Sequence, residues 1–427
     1  MTTEQLRYFL QNAKPRCLFT DAEFLKSAKA CLQDSPDIKL IRFGEAKRHD
    51  SETLDMTEML SEAEPVECSQ RFPSSTPVLM AYTSGTTGNP KGALLTQEAV
   101  HYSVMNAVRM FEMTSQDEIL TLIPMYHIGG ISIQSVPAIY AGATNTIHWT
   151  FNPALALHDI EQYKVTLLVC RPVVSRAISS HPDWHQADLL SLRSLGSGST
   201  RVPLESMAPW FARGIPVQQL YGMTEALPPV IAVSISDARR KAGSIGKPAV
   251  HVEARVVDEN MRDVTPGERG EIVLRSKCIF TEYWQNPEGT QQTFQDGWFL
   301  TGDVGHCDDD GFFYVDDRIK DIVIIGSSNV YSADAERILA ECDAIEEAAI
   351  VGRPDPELGE SLVACVVLKE DHEMNSRQLQ ALFKGRLAQY QHPHHVMFLE
   401  SIPHTALGKI QKSALRQLVR TKTPMVP

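Results

Sequence analysis

Residues 81–92 read AYTSGTTGNPKG and follow the apolar run Val78-Leu79-Met80-Ala81-Tyr82, which has strand character. Hydroxyls and glycines alternate through Thr83, Ser84, Gly85, Thr86, Thr87 and Gly88, and Lys91-Gly92 close the stretch. Glycine lets a backbone bend tightly around a bulky anion. Free amide N–H groups and hydroxyls can then donate to phosphate oxygens, with Lys91 as a mobile positive charge. A strand running into such a loop reads as a polyphosphate clamp in an α/β fold. The pattern differs from the usual P-loop, whose glycine-rich segment ends in Gly-Lys-Ser/Thr. A Ser/Thr/Gly-rich surface loop is the plainer reading. It accounts less well for glycines, hydroxyls and a lysine gathered directly after a strand.

The remaining composition sets bounds. A chain of 427 residues is long enough for two or three domains. Its formal charge of −13 argues against nucleic acid as the main partner, because phosphate backbones attract basic surfaces. The eight cysteines are scattered without metal-site or redox-motif spacing, which points to reduced thiols and a cytoplasmic compartment. No basic-then-apolar leader and no membrane-length apolar run are present in the sequence.

Upstream of the clamp, Thr2 and Gln5 resemble a capping box, with Leu6, Phe9 and Leu10 on one helix face and Pro15 ending it. Strands are expected at 17–19 and 38–43, a helix at 22–31, and a polar surface excursion over 44–76. Downstream, a helix is expected at 94–110, a buried strand at 119–124, and helices at 131–142 and 153–162. Further strands are expected at 144–149, 165–169, 192–196 and 217–220, with Pro172 opening a helix. Strands alternating with helices over short links imply a parallel sheet. From 243 to 300 the pattern changes to short strands, which reads as a small β-barrel subdomain. Beyond 322 come strands at 322–325, 345–351, 362–368 and 396–399, with helices at 333–341 and 376–390. That is a compact α+β module.

Several stretches carry chemistry. His127 follows the 119–124 strand, at a sheet end where open α/β folds place ligands. Neutral or protonated, it can donate to a carboxylate; the alternative is a structural histidine capping the strand. In Tyr221-Gly222-Met223-Thr224-Glu225 the ring can stack on a purine, Thr224 can donate to a phosphate and Glu225 can bind a hard cation. Taken by themselves, Thr224 and Glu225 would be a helix cap and a first-turn acid. Asp303, after Thr301-Gly302, can accept from both ribose hydroxyls. The run Asp308-Asp309-Asp310 reads as a hairpin turn, and His392, His394 and His395 as surface residues, rather than as metal sites. Lys409, preceded by Gly408 and followed by the terminal helix, can deliver an ammonium into a tight site; a surface lysine is the default for any lone Lys.

Jointly these motifs resemble the adenylate-forming superfamily of acyl- and aryl-CoA synthetases, luciferases and peptide-synthetase adenylation domains. The resemblance rests most strongly on residues 83–92, 221–225, 301–303 and 408–410. It implies a large α/β domain over 1–317, built of a parallel-sheet lobe or lobes plus the β subdomain at 243–315. A hinge at 318–321 and a mobile C-terminal α+β domain at 322–427 complete it. The family normally carries a sizeable segment ahead of this stretch, so the resemblance implies a fragment, a misplaced start or an N-terminally shortened version of the fold, and an exposed sheet edge in the last would call for a partner chain or homo-oligomer.

By the same resemblance, Thr83 to Gly88 with Lys91 hold the ATP phosphates. Gly198, Tyr221 and Gly222 line the adenine site, and Asp303 and Arg318 serve the ribose and phosphates. Glu225 holds Mg²⁺, Thr224 bonds the α-phosphate, His127 faces the acid carboxylate and Lys409 is catalytic. The implied reaction activates a small carboxylic acid as an acyl-adenylate and then transfers it to coenzyme A. The acceptor could instead be a carrier-protein phosphopantetheine, or the chain a weak or inactive member acting as a binding subunit. Medium acyl and aromatic acids both suit a moderately apolar pocket drawn from 126–130, 170–176 and 196–225. In the sequence, no basic residue is obviously placed for a second carboxylate.

Overall fold

The computed structural model describes residues 3–33, 35–44, 53–66, 71–83, 90–200, 202–326, 328–405 and 408–421. Ser84 to Gly88 of the clamp lie outside them. The chain opens with α1 (Thr3–Ala13), β1 (Cys17–Thr20), α2 (Leu25–Leu32), β2 (Lys39–Arg42), β3 (Leu54–Asp55) and α3 (Met56–Glu62). The three strands form a parallel sheet in the order β1-β2-β3. The expected surface excursion over 44–76 contains two regular elements, β3 and α3, neither of which has a buried residue. Asp55 ends β3, caps α3 through the Thr57 and Glu58 amides, and receives the Arg42 guanidinium. One aspartate thus does the work of a missing apolar pattern.

Next come β4 (Pro77–Thr83), β5 (Lys91–Thr96) and α4 (Gln97–Met110). β4 and β5 pair antiparallel on either side of the clamp, with Thr83 opposite Lys91. Residues 94–96, expected in the helix, belong to β5, because Ala93 to Leu95 are buried; Thr96 then caps α4 by accepting from the Ala99 amide at 3.1 Å. Helix α1 packs on this hairpin through Phe9 against Tyr82, and the Tyr82 hydroxyl donates to Asn12 at 2.6 Å.

The central sheet is built from β6 (Glu118–Thr121), α5 (Val136–Ala141), β7 (Thr144–Ile147), α6 (Pro153–Gln162), β8 (Leu167–Cys170) and α7 (Pro172–Ser179). It continues through β9 (Ser194–Gly198), α8 (Leu204–Ala212), β10 (Val217–Tyr221), β11 (Ile231–Ala232) and β12 (Lys247–Pro248). The strand order is β12-β11-β10-β9-β8-β6-β7, parallel from β7 to β10. After β6 the chain goes to one side for β7 and returns to the other side for β8, so the order reverses between β6 and β8. One face of the sheet packs on α6, α7 and α8 through Leu168, Leu195, Ile178 and Trp210; the other packs on α4 and α5 through Ile119, Leu167, Val169 and Ala107.

The β subdomain holds β13 (Val252–Val257), β14 (Gly270–Ser276), β15 (Glu282–Tyr283), α9 (Pro287–Gln291), β16 (Phe294–Gln295), β17 (Trp298–Cys307) and β18 (Phe313–Arg318). Five of its strands form an antiparallel sheet, while β15 adds to β5 and β4. Both sheets share one core, in which Ala93, Leu95, Ile272, Leu274 and Phe299 meet. In the β17–β18 turn, Asp308 accepts from the Asp310 and Phe312 amides, and Lys241 pairs with Asp308 and Asp310. This is the structural turn expected there.

The C-terminal domain comprises β19 (Val323–Ile325), β20 (Ser328–Val330), α10 (Ser332–Ala340), β21 (Ile345–Asp355), β22 (Gly359–Leu368), α11 (Ser376–Ala381), β23 (His395–Phe398) and α12 (Lys412–Thr421). β21 runs beyond the strand expected at 345–351, and its ladder with β22 continues to Asp355 opposite Gly359. The helix expected over 376–390 covers only Ser376–Ala381. Gly385, in the left-handed region at φ +75°, falls where it would have continued. The three histidines near 394 are only partly exposed, and among the described residues no cluster suits a metal. Among the described residues, no helix is long and apolar enough to cross a membrane.

Polar ties join the large domain and the C-terminal domain around residues 317–321. The Arg269 Nη1 and Nη2 atoms each donate to Asp334 at 3.0 Å. Asp317 accepts from Ser332 Oγ at 3.0 Å and the Ala333 amide at 3.1 Å. Arg416 pairs with Asp321 and donates to the Lys320 carbonyl at 3.0 Å. A bidentate arginine–carboxylate pair is among the stronger ties available to a surface. Arg269→Ala should loosen this arrangement and raise the rate of limited proteolysis at residues 318–322 severalfold, while the melting of the large domain stays within about 0.5 kcal/mol of wild type, the scale of most surface substitutions. Unchanged cleavage kinetics would show that the pair does not hold the domains together.

Candidate active site

The C-terminal ends of the parallel strands, at the point where their order reverses, are where an open α/β sheet forms a crevice. β6 leads through Leu122 to Pro124 into His127, and β8 leads directly into Arg171. β9 ends at Gly198 and β10 at Tyr221, so both residues lie in strands rather than in the loops expected from sequence. Gly198 is required there, because a Cβ would sit 2.4 Å from the Leu220 carbonyl oxygen. Ser199, next in the turn, takes φ +72°, a left-handed conformation costing a non-glycine residue about 1–2 kcal/mol. A Cβ at Gly222 would meet the Pro228 ring at 2.5 Å.

His127 is partly buried. The Gly129 amide donates to its Nδ1 at 3.1 Å, which leaves Nε2 to carry the ring proton as a donor. Burial, reinforced by Lys409 and Arg171, pushes its pKa down to about 4. The imidazole is therefore neutral at neutral pH, with its proton on Nε2. After Gly130, whose Cβ would lie 2.7 Å from the Pro124 carbonyl oxygen, the backbone enters a π-helical turn, Gly130–Ser135.

Asp303 and Arg318 face each other in the β17–β18 ladder, and Arg318 Nε pairs with Asp303 Oδ1 at 2.9 Å. The Tyr221 hydroxyl donates to Asp303 Oδ2 at 2.8 Å. Three residues singled out separately in the sequence thus form one connected group. The Tyr221 ring lies in the core shared by the two sheets and holds the Asp303 carboxylate in addition to any role beside a base. Thr301 supports the turn by donating to the Ile272 carbonyl at 2.6 Å and accepting from the Asp303 amide at 3.1 Å.

Thr224 and Glu225 occupy a short helical turn after β10. The Tyr283 hydroxyl donates to Glu225 Oε1 at 2.8 Å, and Lys91 lies over the Tyr283 ring, 5.1 Å from its centre. Burial and the Glu225 charge raise the Tyr283 pKa, so its phenol remains a donor. This chain of contacts brings the end of the clamp to the Glu225 carboxylate. The fit to Mg²⁺ is chemical: a hard cation held by one carboxylate plus phosphate oxygens needs no wider acidic cluster, and Glu225 Oε2 has no protein donor among the described residues.

Lys409 reaches the same region from the C-terminal domain. Its loop closes on Thr405, whose amide donates to the Lys409 carbonyl at 2.8 Å and whose Oγ1 accepts from the Lys409 amide at 3.2 Å. Gly408, at φ +71°, permits the turn; a Cβ there would lie 3.5 Å from Arg171 Nη1. Burial, then repulsion from Arg318, lowers the Lys409 pKa to about 8; Asp303 opposes this, and Arg171 and Lys320 add to it. Sequence reasoning placed Arg171 within a pocket stretch, 170–176, but gave it no role. The available signal was its place immediately after a buried parallel strand at the reversal point.

The AMP-binding enzyme family matches residues 1–284, and the AMP-binding enzyme C-terminal domain matches 334–409. An indoleacetate–CoA ligase of Aromatoleum aromaticum is 39% identical over 98% of this chain and 82% of its own length. A feruloyl-CoA synthase from Amycolatopsis is 37% identical over 79% of this chain and 69% of its own. ATP-bound MatB from Rhodopseudomonas palustris superposes with a TM-score of 0.87 at 26% identity, over 99% of this chain and 82% of that one. The o-succinylbenzoate CoA synthetase of Bacillus subtilis, bound to its acyl-adenylate, gives 0.84 at 27% identity, over 100% and 82% respectively.

The electrostatics of Lys409 are directly measurable. Its acylation by a limiting amine-selective reagent should follow a titration centred on about 8, whereas exposed lysines titrate near about 10.4. The sign is that of a cation penalised by burial: Lys409 is charged below its pKa and loses its charge earlier than other lysines as pH rises. A midpoint at the exposed value would show that the ammonium does not sit in this site.

Proposed function

The chain belongs to the AMP-binding enzyme family and is an AMP-forming acid–thiol ligase, and on that premise we propose that it activates an aromatic monocarboxylic acid as its acyl-adenylate and transfers the acyl group to coenzyme A. The aromatic preference is supported by the relatives named for indoleacetate and ferulate. The observation that carries the reaction is the meeting of Lys409 with the Asp303–Arg318 pair and neutral His127 at the C-terminal ends of the parallel strands.

Carboxylate attack on the ATP α-phosphorus joins two anions. A carboxylate oxygen forms a new bond to phosphorus, the bond to the β-phosphate oxygen breaks, and pyrophosphate leaves. A site for this step needs cations and oriented donors fixed in advance. Lys409 supplies an ammonium between carboxylate and α-phosphate, and His127 Nε2–H donates to the carboxylate. Thr224 and the hydroxyls of the 83–88 loop donate to phosphates, with Lys91 beside them. Asp303, held by Tyr221 and Arg318, retains lone pairs for the ribose hydroxyls. Glu225 would hold Mg²⁺, which when bound offsets phosphate charge.

In the second half-reaction the thiolate sulfur bonds to the acyl carbon, the mixed anhydride breaks and AMP leaves. Lys409 is not needed for that step. Hinge rotation at 318–321 would remove it and open the way for the thiol.

Pyrophosphate release measured with indoleacetate, ferulate and octanoate tests the substrate class, and either aromatic acid should exceed octanoate. Turnover on the aliphatic acid alone would refute the aromatic reading, and no adenylate from any acid would refute acid activation. CoA should accept the acyl group; transfer only to a pantetheinylated carrier protein would reassign the acceptor. Lys409→Ala should lower adenylation by at least about 10²-fold, the scale of a lost charge-stabilising donor, while thiolysis of preformed adenylate stays within about threefold of wild type, well under that scale. Equal loss in both half-reactions would remove Lys409 from the assigned role.

A further inference from the structure

We propose that Arg171 binds the reacting carboxylate of the acid substrate, bridging it to Lys409 across the domain boundary. The inference rests on the acid-activation reading above and adds a residue to it. The first support is topological. β6 and β8 are adjacent parallel strands, paired from Ile119–Leu167 to Thr121–Val169, and the strand order reverses between them. A crevice at such a point is flanked by the residues that leave the two strands, here His127 and Arg171.

The second support is contact. Arg171 Nη1 lies 3.5 Å from where a Cβ on Gly408 would stand, so the guanidinium lies against the loop that presents Lys409. The third is an absence of compensation. Arg318 has Asp303, and Arg416 has Asp321, but among the described residues Arg171 has no carboxylate or carbonyl partner. A partly buried arginine beside an ammonium and a neutral histidine donor is an arrangement suited to a bound anion. Guanidinium and carboxylate match in planar, two-bond geometry.

Charge balance identifies the anion. The Lys409 ammonium faces Arg318, Arg171 and Lys320 as cations, Asp303 as an anion and neutral His127. Once Arg318 pairs with Asp303, the cations Lys409, Arg171 and Lys320 remain, and during activation carboxylate and α-phosphate bring two negative charges to them. Adenylate formation consumes the carboxylate charge. Arg171 and Lys409 then repel without a shared partner, which favours departure of the Gly408–Lys409 loop before the thiol enters. The acid thereby acts as a removable ionic bridge between the domains.

The test compares Arg171→Gln and Arg171→Lys with wild type, using the panel acid of highest activity and its primary amide as a neutral competitor. Arg171→Gln should raise the KM for the acid roughly tenfold or more, the scale of a charged hydrogen-bonded contact. The KM for ATP and the rate of thiolysis of preformed adenylate should stay within about twofold, well inside that scale. Arg171→Lys should recover part of the loss. Wild type should bind the acid in preference to the amide, and Arg171→Gln should lose that preference. The alkaline limb of acid-dependent kcat/KM should also move to higher pH in Arg171→Gln, because one neighbouring positive charge is gone.

An unchanged acid KM with wild-type adenylation intact would overturn the role of Arg171 and leave acid activation standing. A rise confined to the KM for ATP would do the same by assigning the guanidinium to phosphate. If Arg171→Gln fails to fold, Arg171→Lys and the acid–amide comparison on wild type still decide: equal affinity for acid and amide overturns the proposal. Wild type that makes no adenylate from any acid would instead refute the reading on which it rests.

Discussion

A lysine ammonium carried into a half-buried position beside two arginines is unfavourable until anions arrive, and everything that delivers Lys409 there must offset that cost. The lowering of its pKa to about 8 follows from burial and from the neighbouring cations. What offsets the cost is distributed well away from the ammonium. Thr405 closes the loop, Gly408 permits the turn, Lys412 holds Ser332, and Arg416 clasps the hinge through Asp321. Arg269 ties the β subdomain to α10 through Asp334. The binding of ATP and acid supplies the missing negative charge, so the closed arrangement and the loaded site support each other.

The large domain serves this arrangement by rigidity. β6, β8, β9 and β10 lie side by side with buried side chains on both faces, and their C-terminal ends cannot move independently. Close-packed interiors transmit position well. Gly198 and Gly222 let neighbouring backbone approach where a methyl group would collide with Leu220 or Pro228. Asp303 reaches the site from another sheet, yet Tyr221 fixes it through a single hydrogen bond from the end of β10. Tyr283 does the same for Glu225 from β15. In both cases a phenol from one element orients the carboxylate of another.

The sequence carried enough information for the α/β alternation, most strand positions and the motif residues, because each depends on local pattern: apolar runs, glycines at turns and hydroxyls in order. It misjudged elements whose stability comes from a single polar contact or from distant pairing. β3 and α3 depend on Asp55 and Arg42, residues 94–96 on pairing in β5, and the end of β21 on β22. α11 is shorter than its apolar face suggests, since Phe383 buries itself in the turn beyond the helix.

The candidate chemistry was thus legible in the order of residues along the chain. Lys409, Glu225, Asp303 and the 83–92 stretch could be nominated without a fold, because reactive groups and backbone freedom are local properties. Which groups meet was decided only in three dimensions. The Tyr221–Asp303–Arg318 group joins residues up to 97 positions apart by subtraction of 221 from 318. Arg171 beside Gly408 depends on a strand-order reversal and on one domain arrangement. The protonation of His127 and Lys409 was equally invisible beforehand, since desolvation and Coulomb forces depend on distances that chain order does not fix.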